Sequence, residues 1–168
     1  MLPNKISIIG APGTGKTTLA IKLSKIYNLP RYHIDGIHHL KNWEIRDKEE
    51  RDKIILEKIK ENKWVFDGTY KSTLVPRLKQ SDLVIWLDYT TFTQLKGIIK
   101  RWIINSGKEK DEIPGCKEKI DLDFILYVLK YNKEKRFYIL DAIQKSNINN
   151  IIIFKNRKDL TKWLESQK

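Results

Sequence analysis

The sequence predicts an α/β protein of three layers, a parallel five-stranded sheet with helices on both faces. Two patterns predict it. Short apolar runs alternate with amphipathic stretches along the whole 168-residue chain. The runs are continuously apolar rather than alternating, as strands must be when helices cover both faces of a sheet. A glycine-rich turn between the first run and the first amphipathic stretch adds a third clue.

The elements follow in order. Residues 5–9 (KISII) form the first strand, bounded by Pro3 and Gly10. Residues 17–27 carry Leu19, Ile21, Leu23 and Ile26 at helical spacing and end before Asn28-Leu29-Pro30. Residues 31–34 read as a second short strand leading to Asp35-Gly36, and residues 46–61 as a charged helix. Residues 64–68 (WVFDG) are a third strand, and residues 72–78 suit a short helix. Residues 83–88 (LVIWLD) are a fourth strand, and residues 91–105 place Leu95, Ile98, Ile99 and Trp102 in helical register. Residues 106–115 are polar and hold both Gly and Pro, which predicts a mobile loop. Residues 121–147 read as one long helix, 150–154 (NIIIF) as a fifth strand and 159–166 as a closing helix. No linker divides the chain, so one domain is expected over residues 1–168, with an acceptor-binding insertion at 36–62 and a lid at 106–115.

Composition bounds the rest. Apolar residues make up 40% and charged residues 32% of a 19.9 kDa chain, the balance of a globular protein with a real core. No apolar run approaches the roughly 18 residues of a membrane span. The first residues lack the pattern of a secretory signal, and the single cysteine, Cys116, has no intramolecular partner. A cytoplasmic protein without a membrane partner is expected. The net charge of +12 admits a nucleic-acid partner. The excess is spread evenly, however, with +6 in each half and no basic arm. A solvated lysine-rich surface around an anionic-substrate site is the favoured reading. The oligomeric state stays open.

The strongest motif is GAPGTGKT, residues 10–17, which matches G-x-x-x-x-G-K-[ST] between a predicted strand and a predicted helix. Gly10, Ala11, Pro12, Gly13, Thr14, Gly15, Lys16, Thr17 and Thr18 are the expected nucleotide cradle. Backbone N–H groups turn inward where no side chain obstructs them, and the helix that follows aims its positive end at phosphate. Lys16 brings a point charge, and Thr17 a hydroxyl for Mg²⁺. The fold is thereby narrowed to a P-loop NTPase.

Ligands of such sheets sit beyond the carboxyl ends of the strands, where Asp35, Asp67 and Asp88 fall. Asp67 is the preferred carboxylate on the magnesium side, acting through water. Asp35 can take a proton from an acceptor hydroxyl or orient the acceptor. Asp88 can do the work assigned to Asp67. Each can instead cap a helix or a turn. Phosphoryl transfer needs cations on the moving charge, which makes Arg77, Arg101, Lys108, Lys110 and Arg136 candidates. Arg101 also suits a helix C-terminus, and loop lysines are commonly just solvated. His33, His38 and His39 with Asp35 fit no closed zinc spacing. His38 and His39 can line an acceptor cleft, and Trp43 and Tyr70 can stack on a planar acceptor or pack at its rim.

These segments resemble the adenylate kinase-like P-loop kinases, in particular the bacterial group often labelled topology modulation proteins. The carriers are GAPGTGKTTLA at 10–20, HIDGIHHLKNW at 33–43, WVFDGTYKSTLVPRL at 64–78, SDLVIWLD at 81–88, KRW at 100–102 and PGCKEKIDLDF at 114–124. The resemblance implies strand order 2-3-1-4-5, an acceptor region between strands two and three, and a lid after the fourth helix. It implies ATP and Mg²⁺ on Lys16 and Thr17, Asp35 facing the acceptor, and phosphate contacts from Arg77 and Arg101. It implies transfer of the ATP γ-phosphate to a small molecule such as a nucleotide or nucleoside. The alternative is a nucleotide-binding regulatory ATPase acting on or near DNA. The chain departs from the group at His39, where Trp is usual, and at Lys41, where Pro is usual. It also carries Lys110-Asp111-Glu112 where an Arg-Pro-Asp element is usual. Monophosphate kinases carry Asp-Gly-x-Pro-Arg, whereas this chain has Asp-Gly-Thr-Tyr at 67–70.

Overall fold

The apolar runs pair as a parallel sheet whose three central strands are buried almost throughout. A computed structural model describes residues 2–110 and 112–167. Strand β1 (Lys5–Gly10) lies at the centre, between β3 (Trp64–Asp67) and β4 (Leu83–Leu87). Strand β2 (Arg31–His33) flanks β3, and the last strand of the sheet (Ile151–Phe154) flanks β4. In order along the sheet these are the second, third, first, fourth and fifth of its strands, as expected. The last strand is β7 in chain order, because residues 106–117 supply two further strands.

Helix α1 (Lys16–Tyr27) leaves the phosphate loop directly and stops at Asn28, whose left-handed backbone returns its N–H to Ser24. Helix α2 (Ile34–His38) follows β2 at once, so Asp35 sits on a short helix rather than at the tip of a strand. Helix α3 (Lys48–Lys58) starts at Asp47, whose carboxylate accepts from the N–H groups of Glu49 and Glu50. Helices α4 (Lys71–Lys79) and α5 (Thr91–Asn105) follow β3 and β4. Helix α6 (Leu122–Ser146), 25 residues long, is capped by Asp121. Helix α7 (Arg157–Glu165) is capped by Asn156. Leu19 and Leu23 of α1 and Leu164 of α7 pack with Ile6, Ile8 and Ile85 on one face of the sheet. Leu74 and Leu78 of α4 and Ile139 and Ala142 of α6 pack with Ile9, Val84 and Trp86 on the other. Ile34 and Ile55 pack against Trp64 and Phe66 beside β3. Truncating a side chain such as Leu78, wholly buried, to alanine would cost about 2–5 kcal/mol.

The stretch expected as a mobile loop is a hairpin, β5 (Glu109–Lys110) and β6 (Ile113–Lys117), paired antiparallel. Pro114 and Gly115 hide it in the sequence, since both ordinarily interrupt strands. What holds it is docking. Cys116 is fully buried, accepting from the Trp43 N–H at 3.1 Å and donating to the Leu40 carbonyl at 3.3 Å. Arg31 of β2 grips Glu112 with two parallel bonds of 2.7 and 2.8 Å. The hairpin is thus fastened to the segment between β2 and α3, where Lys41–Trp43 form a 3-10 turn. Asp111, within the expected lid element, lies outside the described residues. Among the described residues no helix is long and apolar enough to cross a membrane.

Candidate active site

A cleft of about 1460 Å³ opens beyond the carboxyl ends of the strands, bordered by the phosphate loop, α2, the hairpin and α6. The loop is shaped by glycine. Gly13 adopts φ +74°, and a Cβ on it would fall 2.3 Å from the Gln94 carbonyl oxygen. The loop therefore lies directly on the backbone of α5, and Arg157 of α7 donates to the Gly13 carbonyl at 2.8 Å. Gly10, Pro12, Gly13, Gly15, Lys16, Thr17 and Thr18 line the cleft. Ala11 and Thr14 do not: both are buried, with the Thr14 hydroxyl bonded to the Ala11 carbonyl, so they contribute backbone alone. Helix α1 has no acidic residue in its first turn, which leaves its positive end open to an anion. Lys16 Nζ rests on the Ala11 carbonyl at 2.7 Å. Burial depresses the pKa of this lysine against the opposing pull of Asp35 and Asp67. A phosphate in reach would reverse that depression.

Thr17 donates its hydroxyl to Asp67 Oδ2 at 2.8 Å, and His33 Nδ1 lies 2.8 Å from the same oxygen. Asp67 is fully buried, which disfavours its charge, yet the His33 hydrogen bond and charge, the Thr17 hydroxyl and Lys16 outweigh burial and lower its pKa. Burial likewise opposes the His33 imidazolium, and the bond to Asp67, with the charges of Asp35 and Glu112, more than compensates. Asp67 Oδ1 has no hydrogen-bond partner. That oxygen lies 4.0 Å from Arg31 Nη1, an ion pair without a hydrogen bond, so a buried carboxylate beside a threonine hydroxyl keeps a lone pair that suits a hard cation such as Mg²⁺. Thr17 and Asp67 are the residues that would hold it.

Asp35 lines the cleft with a half-exposed side chain, 3.9 Å from His33 Nε2. His39, Trp43 and Tyr70 share that wall, whereas His38 does not line it and packs edge-on to His39 and tilted against Tyr70. Across the cleft, α6 presents Phe124, Tyr127, Tyr131 and Tyr138, an aromatic face at helical spacing that the sequence reading passed over.

The candidate cations divide. Arg101, at the end of α5, and Lys110, in the hairpin, line the cleft. Arg77, expected to touch phosphate, does not. It is fully buried beneath the Gly68–Tyr70 turn, where Nη2 donates to the Gly68 carbonyl at 2.7 Å and burial lowers its pKa to about 10. Its place in α4, one turn from Thr73 and beside the core position Leu78, turns it inward. Asp88 and Arg136, also candidates, pair with each other at 3.1–3.2 Å, with Lys155 on the same carboxylate, and neither lines the cleft. Lys108 does not line it either. Arg157, unread in the sequence, does, with its guanidinium 5.8 Å from the Tyr89 ring.

This architecture is the three-layer P-loop NTPase fold. No family model matches the chain, and no curated protein does. Among solved structures it is similar to a shikimate kinase from Acinetobacter baumannii in complex with shikimate. The similarity has a TM-score of 0.61 at 16% identity and covers 98% of this chain and 94% of that one. Similarity at that level shows the fold and does not reach the finer resemblance to topology modulation proteins.

Proposed function

We propose that this protein transfers the γ-phosphoryl group of Mg·ATP to a small acceptor held between Asp35 and the aromatic face of α6. The observation that carries this reading is the convergence of Lys16, Thr17 and Asp35 on one cleft, with Asp67 buried directly behind Thr17. In this reading the loop N–H groups and the start of α1 hold the triphosphate, and Lys16 exchanges the Ala11 carbonyl for phosphate oxygens. Thr17 and Asp67 hold Mg²⁺, which neutralises charge on the phosphates. Asp35 accepts the proton of the attacking hydroxyl or orients it, a role worth about 10²–10⁴ in rate. Arg101 and Lys110 meet the charge that develops on the transferred group. Residues 36–62 and the hairpin at 106–117 enclose the acceptor. The rings on α6 and at Tyr70 favour an acceptor with a flat or apolar face, such as a nucleoside or nucleotide. Shikimate, bound in the structurally similar kinase, belongs among the acceptors to test.

The test is incubation with Mg·ATP labelled on the γ-phosphate and a panel of nucleosides, nucleoside monophosphates, shikimate and small polyols. Label is expected on one of them. Asp35→Asn is expected to keep ATP binding within about threefold and to slow transfer at least about 100-fold. Absence of transfer to every acceptor would overturn the reading.

A further inference from the structure

Glu118, which follows β6, is buried at the cleft wall, with a side chain 3% exposed. Its Oε1 accepts from Arg101 Nε at 3.0 Å and lies 2.9 Å from Nη2 as an ion pair, while Oε2 lies 3.4 Å from Lys110 Nζ. One carboxylate therefore joins the end of α5 to both strands of the hairpin. Its backbone is fixed as well, since the Glu118 N–H donates to the Lys108 carbonyl at 2.9 Å.

The two cations line the same cleft as Lys16. Lys110 feels the charge of Asp35 and sits over the Trp43 ring at 4.8 Å. Glu118 thus bridges two cations of one cleft wall. The Arg101 edge carrying Nε and Nη2 faces Glu118, and Arg101 also lines the cleft. An isolated carboxylate in an anion-binding cleft would repel the substrate. Paired with two cations it leaves a net positive charge and fixes its direction.

We propose that Glu118 is a positioning residue for phosphoryl transfer, holding Arg101 and Lys110 together so that both address the phosphoryl group in flight. This rests on the phosphotransfer reading above. It differs from a tether of the hairpin, which would affect lid stability and nucleotide binding without singling out the transferring group.

The experiment is calorimetric titration of the full-length chain with Mg·ADP, alone and with aluminium fluoride as a mimic of the transferring phosphoryl group. Glu118→Gln is expected to bind Mg·ADP within about threefold of the parent and to weaken the fluoride complex at least about tenfold, since preorganised donors act on the charge of the transition state. Arg101→Met is expected to show the same selective loss, and adding Glu118→Gln to it no more than about a further twofold, because groups acting as one unit are not additive. A Glu118→Gln protein that forms the fluoride complex as tightly as the parent would overturn the proposal, as would equal losses with and without fluoride. If that variant does not fold, Arg101→Met and Lys110→Met decide: a selective loss in each supports the proposal, and parental affinity in either refutes it. Failure of the parent chain to bind Mg·ADP at all would instead overturn the phosphotransfer reading itself.

Discussion

Thr17 and Asp67 meet across 2.8 Å, joining the end of the phosphate loop to the end of β3. The contact is fixed by topology, since β1 and β3 are neighbours in register with Ile8 opposite Asp67. The other oxygen of Asp67 is buried and accepts no hydrogen bond, with Arg31 Nη1 4.0 Å away. Replacing Asp67 with Asn keeps the shape and removes the charge that a divalent cation needs. The expected outcome is a loss of magnesium-dependent ATP affinity of about 10–100-fold, the range for groups that tune a metal. Affinity for ATP in the presence of chelator should change little. Titrations with and without Mg²⁺ measure the difference, and equal losses under both conditions would remove the metal role from Asp67.

Lys16 holds the Ala11 carbonyl with an ammonium whose pKa burial depresses. Lys16→Met deletes that charge where the fold does not depend on it, since the side chain bonds one carbonyl only. Affinity for Mg·ATP is expected to fall at least about tenfold, the scale of a lost charge-assisted hydrogen bond. The melting temperature without nucleotide should stay near that of the parent. Thermal melts with and without ATP test both halves, because bound nucleotide stabilises the folded state by mass action.

The sheet and the phosphate loop were legible because local chemistry encodes them. Buried parallel strands need unbroken apolar runs such as LVIWL, and a phosphate cradle needs glycines at fixed offsets. The hairpin was not legible, because its stability comes from Cys116 on Leu40 and Trp43 and from Arg31 on Glu112, contacts across many residues. Arg77 misled for a related reason. An arginine in an amphipathic helix is ordinarily solvated, and only the carbonyl of Gly68, exposed by the turn after β3, draws this one inside. Arg157 was invisible because it reaches Gly13 from 144 residues away. The aromatic face of α6 was legible in the spacing of Phe124, Tyr127, Tyr131 and Tyr138, though its direction toward the cleft was not.

Gly13 offers a test of the loop's seating. Its φ of +74° and the 2.3 Å approach of the Gln94 carbonyl leave no room for a methyl group. Gly13→Ala is expected to destabilise the fold by more than the roughly 1–2 kcal/mol of the left-handed conformation alone, because backbone must also shift. Denaturant midpoints report that cost. Nucleotide affinity should fall with it, since the displaced loop no longer aims its N–H groups inward. A variant of unchanged midpoint and affinity would show that the loop is free of α5.

Arg31 and Glu112 make the last test, one of hairpin attachment. Their two parallel bonds link β2 to the hairpin, with both side chains about one-quarter exposed or less. Partial exposure keeps the pair modest, about 1 kcal/mol or somewhat more for the bidentate geometry. Glu112→Gln should therefore leave the global melting temperature nearly unchanged. Opening of the hairpin should become easier by about fivefold, which is what 1 kcal/mol allows. Hydrogen exchange reads this directly, with faster exchange expected at hairpin amides such as Glu118, bonded to Lys108, and unchanged exchange in β1 and β4. Salt should mimic the substitution only in part, since a half-buried pair is incompletely screened. Equal exchange at the hairpin amides in both proteins would mean that the Cys116 and Glu118 contacts hold the hairpin without this pair.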